Sequence, residues 1–309
     1  ILDLNKIGLK RIAKSNDDIL IAVRQNAFLD QTEVIKRVLE DTKQIRNNRN
    51  LIISQETLGI EVVRTFHKPE LSNIKKEQYT NSDLKDNAYV VNDKFPYFNN
   101  NLYPNIRTFI AAREGLAFTG LFLENNFEAI FSENLFLLSN FKYSIYDEFD
   151  QLTVPPRDTY PNQVRSDNKD YFNNFSEGVI IGRLELNRLF SRDRKHFYLL
   201  SAGIFEEMFG GIGGEYLYYP EGSLYSLGIE AYYVRKREYD MKLQFQDYEN
   251  ILVRTNFSIN EPKTGINIKL SAGEYLAGDI GYTFEVGRKF HNGIKMSAFF
   301  TRTDVPKRL

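Results

Sequence analysis

The sequence predicts a mainly β fold, an antiparallel transmembrane β-barrel preceded by a small N-terminal α/β module, on three observations. From Leu102 onward apolar and polar residues alternate with a period of two. They do so over about ten segments of roughly 9 to 12 residues, longer than the usual strand and long enough to cross a bilayer when tilted. The polar face of these segments carries full charges, as a wet lumen allows. The chain is also rich in aromatics, with 24 Phe and 19 Tyr and no Trp, yet hydrophilic, with a mean hydropathy of −0.42. Tyr218, Tyr219, Tyr225, Tyr233, Phe290 and Phe300 sit near segment ends, where a barrel places its interfacial girdle. A soluble β-sandwich or barrel is the competing expectation, because alternation alone proves only that one face is apolar.

In chain order, residues 1–67 read as the α/β module. Leu4, Ile7 and Ile12 suggest a short amphipathic helix, and Ile19 to Val23 is an apolar run of strand length. Asp30 precedes Glu33 at capping-box spacing, and Val34, Ile35, Val38, Leu39 and Ile45 form one face of a helix to about Arg46. Leu51 to Ser54 and Ile60 to Phe66 follow as strands around a turn near Thr57 to Gly59. Residues 68–100, rich in Asn, Asp and Lys and without period, read as a linker, and 101–309 as the barrel portion.

Within that portion Ile180, Gly182, Leu184 and Leu186 alternate with Arg183, Glu185 and Asn187, and Tyr225 to Tyr233 with Ser226, Gly228 and Glu230. Ile251 to Ile259 alternate with Arg254, Asn256 and Ser258, and Ile266 to Ala272 with Asn267, Lys269 and Ser271. Ile280 to Val286 alternate with Asp279, Gly281, Thr283 and Glu285, and after a hairpin turn at His291-Asn292-Gly293 the pattern resumes with Lys295 on the polar side. Arg183, Glu185, Glu230, Arg254, Lys269, Asp279, Glu285 and Lys295 are therefore the candidate lumen-lining residues.

The stretch from Gly203 to Pro220, GIFEEMFGGIGGEYLYYP, reads as strand, tight acidic corner, strand, with Glu206, Glu207, Gly210, Gly211, Gly213, Gly214 and Glu215 forming the corner. A phosphate loop would need a different glycine spacing, a following Lys-Ser or Lys-Thr, and a helix. A glycosidase pair would need two convergent carboxyls, whereas adjacent strand residues point apart. His196 and Ser201, five apart in one strand, fall on opposite faces, which argues against a local Ser-His pair.

Charge and cysteine content remove further classes. Forty Lys and Arg against 41 Asp and Glu leave no polybasic argument for nucleic acid. The absence of Cys excludes a disulfide framework, a Cys-ligated zinc site and thiol catalysis. His67, His196 and His291 lie far apart with no metal-helix spacing such as HExxH, so neither metal nor cofactor is expected. The start at Ile1 without a signal-peptide pattern, and the stop at Pro306-Lys307-Arg308-Leu309 just after a strand, lead us to expect a fragment or processed piece.

Several ordered motifs carry a resemblance. VPP at Val154 to Pro156, VRSD at Val164 to Asp167, FEEMFGGIGGEYLYYP at Phe205 to Pro220, YVRKREYD at Tyr233 to Asp240, DY at Asp247-Tyr248, YLAGDIG at Tyr275 to Gly281, FHNG at Phe290 to Gly293 and TDVP at Thr303 to Pro306 together resemble the YjbH-type family. That family consists of large bacterial outer-membrane β-barrel proteins encoded with exopolysaccharide or group 4 capsule genes. The similarity is close from Val154 to Pro306, and the N-terminal module is more loosely similar to the family's internal periplasmic module. The resemblance implies an outer-membrane protein acting in export or surface assembly of a polysaccharide, non-enzymatic, with outer-membrane lipid, a polysaccharide and periplasmic or lipoprotein partners. The module would lie in the periplasm as a docking surface. A structural barrel with a sealed lumen, or a barrel-borne hydrolase, are the alternatives. Arg165 and Asp167 are expected to form a local ion pair pinning the chain where it enters the barrel.

Overall fold

The computed structural model describes residues 7–14, 17–25, 31–43, 49–57, 60–68, 88–90, 95–110, 112–155, 164–220, 222–261, 264–290 and 294–304. They form two sheets. The first contains β1 (Ile7–Lys14), β2 (Asp18–Gln25), β3 (Asn50–Thr57), β4 (Ile60–His67) and β5 (Ala88–Val90), in the order β4-β3-β2-β1-β5. β2 and β3 run parallel, joined through helix α1 (Gln31–Thr42). A parallel pair needs such a crossover. Val34, Ile35 and Val38 of α1 bury against Ile19, Ile21 and Val23 of β2 and Leu51 and Ile53 of β3. The opposite face collects Ala13, Leu20, Ile52 and Phe66.

Two expectations change here. Residues 7–14 are not helical but pair antiparallel with β2, with a register irregularity between Leu9 and Arg11. Three apolar residues at loose helical spacing could not outweigh a neighbouring strand edge offering a full ladder. The linker also contributes structure in its second half. Ala88–Val90 adds an edge strand to β1, and the next long strand begins at Tyr97. Asp30, the turn at residues 58–59 and most of the linker lie outside the described residues, as do Pro156, Val305, Pro306 and the His291-Asn292-Gly293 turn.

The second sheet is an antiparallel meander of eleven strands in sequence order. These are β6 (Tyr97–Ile110), β7 (Ala117–Ser132), β8 (Leu135–Asp147), β9 (Val179–Ser191), β10 (His196–Ile204), β11 (Phe209–Tyr218), β12 (Tyr225–Arg237), β13 (Phe245–Glu261), β14 (Ile266–Glu274), β15 (Ile280–Lys289) and β16 (Lys295–Thr303). The chain is thus mainly β, with long antiparallel strands as the alternation predicts. The sheet is open, with β6 and β16 as its edges. Connections fall alternately at two ends. One end joins β7 to β8, β9 to β10 through 192–195, β11 to β12, β13 to β14 and β15 to β16; the other joins β6 to β7, β8 to β9 through a long strap described at 148–155 and 164–178, β10 to β11 through 205–208, β12 to β13 through 238–244 and β14 to β15 through 275–279. We call these the turn end and the corner end. The first sheet meets the turn end, where Lys10 lies 2.7 Å from Glu133 and Arg194 lies 3.6 Å from Glu61.

The burial pattern is inverted relative to a soluble sheet. Along β13, Ile251, Val253, Phe257 and Ile259 are 58, 46, 42 and 38 % exposed, while Arg254, Asn256 and Ser258 between them are shielded. β12 repeats this, with exposed Tyr225, Leu227, Ile229 and Tyr233 against shielded Ser226, Gly228 and Glu230. The polar face is concave, because Arg107 of edge strand β6 reaches across to Glu207 between β10 and β11. At the corner end the strap enters this concavity. It contributes Phe149 from a 3-10 turn (Phe149–Gln151), Leu152, and Tyr171 and Phe175 on or after α2 (Asn168–Asn173), packed with Phe118, Phe122, Ile180, Met208, Phe209, Val234 and Met241. Phe122, Phe149, Phe172 and Phe175 form a ring cluster with centroids 5.2 to 6.1 Å apart. Edge-on and offset aromatic pairs of this kind add to the area they bury.

Candidate functional site: strap and corner on the concave face

The acidic corner is residues 205–208, and the glycines lie beyond it. Gly210, Gly211, Gly213 and Gly214 belong to β11 and pair with β10 and β12 in unbroken register. Their purpose is close approach, not turning. A Cβ on Gly213 would collide with the Tyr232 ring, so the missing side chain makes room for that ring on the inner face. Positive φ is required one strand earlier, at Gly203, where φ is +132°.

Glu206 and Glu207, in the bend between β10 and β11, turn to different partners. Glu206 accepts two hydrogen bonds from Arg165 of the strap, at 2.7 and 2.9 Å. Glu207 accepts two from Arg107, at 2.7 and 3.0 Å, and one from Lys142 at 2.5 Å. Burial pushes the Glu207 carboxyl up, but the guanidinium and ammonium beside it outweigh that, and it titrates below the ordinary carboxylate range. The two acids therefore tie the corner to two separate partners.

Arg165 and Asp167 do not form the local pair expected of them. Arg165 turns to Glu206, while Asp167 forms a buried ion pair with Lys236 and accepts a hydrogen bond from the Tyr239 hydroxyl at 3.1 Å. A residue separation of two in a tight turn aims the side chains apart, and the better-placed partners come from β12 and the corner. Burial first and Asp167 second push the Tyr239 hydroxyl up to about 12. Further along the strap, Lys169 contacts both oxygens of Glu114 at 2.8 Å and the Val154 carbonyl at 3.0 Å.

Arg237 is the centre of this region, fully buried at 0 % exposure. Its guanidinium donates to the carbonyls of Ile181 (2.8 Å), Glu206 (2.9 Å), Glu207 (2.9 Å), Lys242 (2.7 Å) and Met241. One side chain thereby joins β9, the corner and the β12–β13 connection. Its own carbonyl accepts from the Tyr171 hydroxyl at 2.6 Å. Only arginine offers enough donors in one plane for this role. A cavity of about 550 Å³ opens beside it, lined among others by Arg107, Lys142, Arg165, Arg183, Glu207 and Phe172.

Of the predicted lumen residues, Glu185 is buried, Glu230, Arg254, Lys269, Asp279 and Glu285 are half-buried, and Arg183 and Lys295 are exposed. Arg183 donates to Glu185 at 2.6 Å, Arg254 to Glu230 at 2.6 Å, and the Tyr232 hydroxyl to Glu215 at 2.8 Å. Lys269 stands across from Glu285 in the β14–β15 ladder, and Lys295 lies 3.9 Å from Glu285. Asp279 precedes β15 and sits in the 275–279 connection at the corner end. His196 and Ser201 are on opposite faces. The His196 ring stacks outward on Tyr216, while Ser201 is buried and donates to Asn187 at 2.6 Å. His67 is buried in the first sheet beside Thr65. Among the described residues no three His, Asp or Glu side chains cluster as a metal site would require.

Sequence reasoning passed over Arg107, Lys142, Lys236, Arg237 and Tyr171. A signal existed for two of them, because the RKR run ends a strand whose inner face is otherwise uncharged past Glu230.

A profile of the YjbH family, described as exopolysaccharide biosynthesis protein YbjH, matches residues 3–308. The chain belongs to the YjbH family. It is 30 % identical over 166 residues to an uncharacterized lipoprotein YjbH of Escherichia coli (strain K12), covering 52 % of this chain and 23 % of the relative. The chain thus matches less than a quarter of that relative's length. No solved structure matches.

The motifs that mark this YjbH-family chain interlock at the corner end. VRSD meets YVRKREYD through Asp167 and Lys236, and FEEM through Arg165 and Glu206. DY meets YLAGDIG, as the Tyr248 hydroxyl donates to the Leu276 carbonyl at 2.6 Å. YLAGDIG meets TDVP, as the Ile280 N–H donates to Asp304 at 2.9 Å. Segments far apart in sequence thus build one end of the sheet.

Proposed function

We propose that the chain is part of an outer-membrane β-barrel that acts in export or surface assembly of an exopolysaccharide, with the α/β module in the periplasm. The observation that carries this reading is the inverted burial pattern. On β13 the outward apolar residues run from Ile251 to Ile259, about 26 Å along the strand at roughly 3.3 Å per residue. A lipid-facing apolar band of a transmembrane barrel is about 25 Å tall. A soluble sheet would cover such a face, whereas a bilayer covers it without a protein partner. No described helix is long and apolar enough to cross a membrane, so strands would do the crossing. Family membership supports the polysaccharide.

The concave face suits passage of hydrated sugar rather than covalent chemistry. Several of its charges are paired, as in Arg254 with Glu230 and Arg183 with Glu185, and these pairs with the neighbouring amides and hydroxyls form many weak contacts. The module offers a docking surface for periplasmic or lipoprotein partners. Deleting the gene and measuring surface polysaccharide tests the role; unchanged amount and location would end it.

A sealed scaffold is a second reading, favoured by the strap that packs into the corner end. Conductance in planar bilayers separates the two, because a sealed barrel shows no openings.

A further inference from the structure

We infer that the outward face of β9, β10 and β11 near the turn end holds the phosphate of an anionic phospholipid, with Arg188 as its anchor. This rests on the membrane-barrel reading and adds to it a defined lipid site. Arg188 lies on the apolar, outward face of β9 and is exposed. Leu186 and Phe190 flank it along the strand, and Leu135 and Leu200 stand directly across from it on β8 and β10. Among the described residues its side chain makes no hydrogen bond or ion pair. A full charge enclosed by four apolar neighbours on a lipid-facing surface is costly unless something outside the protein neutralises it.

Two other outward cations are satisfied internally, while Arg302 of edge strand β16, across from Tyr282, is exposed as Arg188 is. Arg235 faces Glu249 at 3.8 Å and covers the Phe245 ring; Arg288 donates to the Thr264 carbonyl and lies over Phe290. Between Arg188 and the 192–195 turn stands an aromatic ladder. Phe190 stacks on Tyr198 at 5.2 Å, Tyr198 meets Tyr216 at 5.3 Å, and His196 meets Tyr218 at 5.1 Å and the Tyr216 hydroxyl at 2.8 Å. Rings with an apolar body and a polar tip belong at headgroup depth. Arg188 can extend along this ladder toward the interface, as long cationic side chains do. At the turn, Arg192 and Lys195 are exposed with side chains unpaired among the described residues. The acid there, Asp193, is occupied in capping the Lys195 and His196 N–H groups at 2.8 and 2.9 Å. Positive charge, aromatic belt and apolar wall thus follow one another in the order headgroup, ester region and acyl chain.

The test compares native protein with Arg188→Gln and Arg188→Lys in vesicles of phosphatidylcholine, with and without phosphatidylglycerol. Insertion is read by protease protection, and retained lipid by native mass spectrometry. All three are expected to insert. Native protein retains phosphatidylglycerol preferentially, Arg188→Gln loses about fivefold in retention, the factor that roughly 1 kcal/mol per cation at an anionic leaflet corresponds to, and Arg188→Lys restores most of it. Arg188→Gln that inserts and retains phosphatidylglycerol at the native level overturns the site while leaving the barrel standing. Inorganic phosphate that competes the lipid away at equal concentration overturns a lipid-specific site in favour of a free-anion one. Native protein that enters no vesicle overturns the barrel reading and the site together.

Discussion

Asp167 and Lys236, 69 residues apart in sequence, form an ion pair whose side chains are only 7 and 3 % exposed. It fastens the strap to β12 at the point where the strap enters the concave face, and Tyr239 holds the same carboxylate. Lys236→Met strands a buried carboxylate and is expected to destabilise by about 3 to 5 kcal/mol. The double variant Asp167→Asn, Lys236→Met removes both charges and should recover much of that loss. Thermal or denaturant unfolding of the four-member cycle checks it; equal losses for single and double variants would show that the charges are not coupled.

Arg237→Lys keeps the charge but not the reach. An ammonium has three donors where the guanidinium serves five carbonyls. Leaving at least two buried carbonyls unpaired is expected to cost roughly 2 to 6 kcal/mol, nearly as much as Arg237→Met. Unfolding midpoints of the two variants decide the matter, and a lysine variant of native stability would refute the staple.

Acid should loosen the strap before it unfolds the sheet. The hydrogen bond from Lys169 holds Glu114 at about 2 against its ordinary 4.5. A carboxyl depressed on folding contributes stability that is fully present above its unfolded value and is lost as pH falls through the folded one. The contribution therefore disappears between about pH 4.5 and pH 2. Glu207, also depressed, acts in the same direction. Protease sensitivity of the strap residues 164–178 across this window is expected to rise, and Glu114→Gln should flatten the dependence.

Conductance should respond to the strap's outer contacts. The Arg165–Glu206 pair is half exposed, and such pairs are worth about 0 to 1 kcal/mol, so Arg165→Gln should leave the fold intact. In planar bilayers this variant is expected to show openings more often than native protein. A native channel already open to its full conductance would mean that the strap does not seal it.

Much of this fold is legible in the sequence because side-chain direction in a strand depends only on parity. Ile251 to Ile259 against Arg254 to Ser258 assigns each residue to a face without knowledge of any partner strand. The same rule separates His196 from Ser201 within β10. Helix α1 is legible for a similar reason, since Val34, Ile35 and Val38 share a face whatever they pack on. Residues 7–14 are not, because their conformation is decided by the open edge of β2.

The sequence by itself determined two-sided strands, their inner and outer residues, the α/β module and the motifs that mark the family. Tertiary structure alone decided what those motifs are for. Periodicity is a property of neighbours within a segment, whereas Asp167 finds Lys236, Glu207 finds Arg107, and Arg237 finds five carbonyls only once a curved sheet brings remote segments within hydrogen-bond range. The curvature also separated the corner from its glycines, placing the turn at residues 205–208 and leaving β11 free of side chains where the Tyr232 ring must lie.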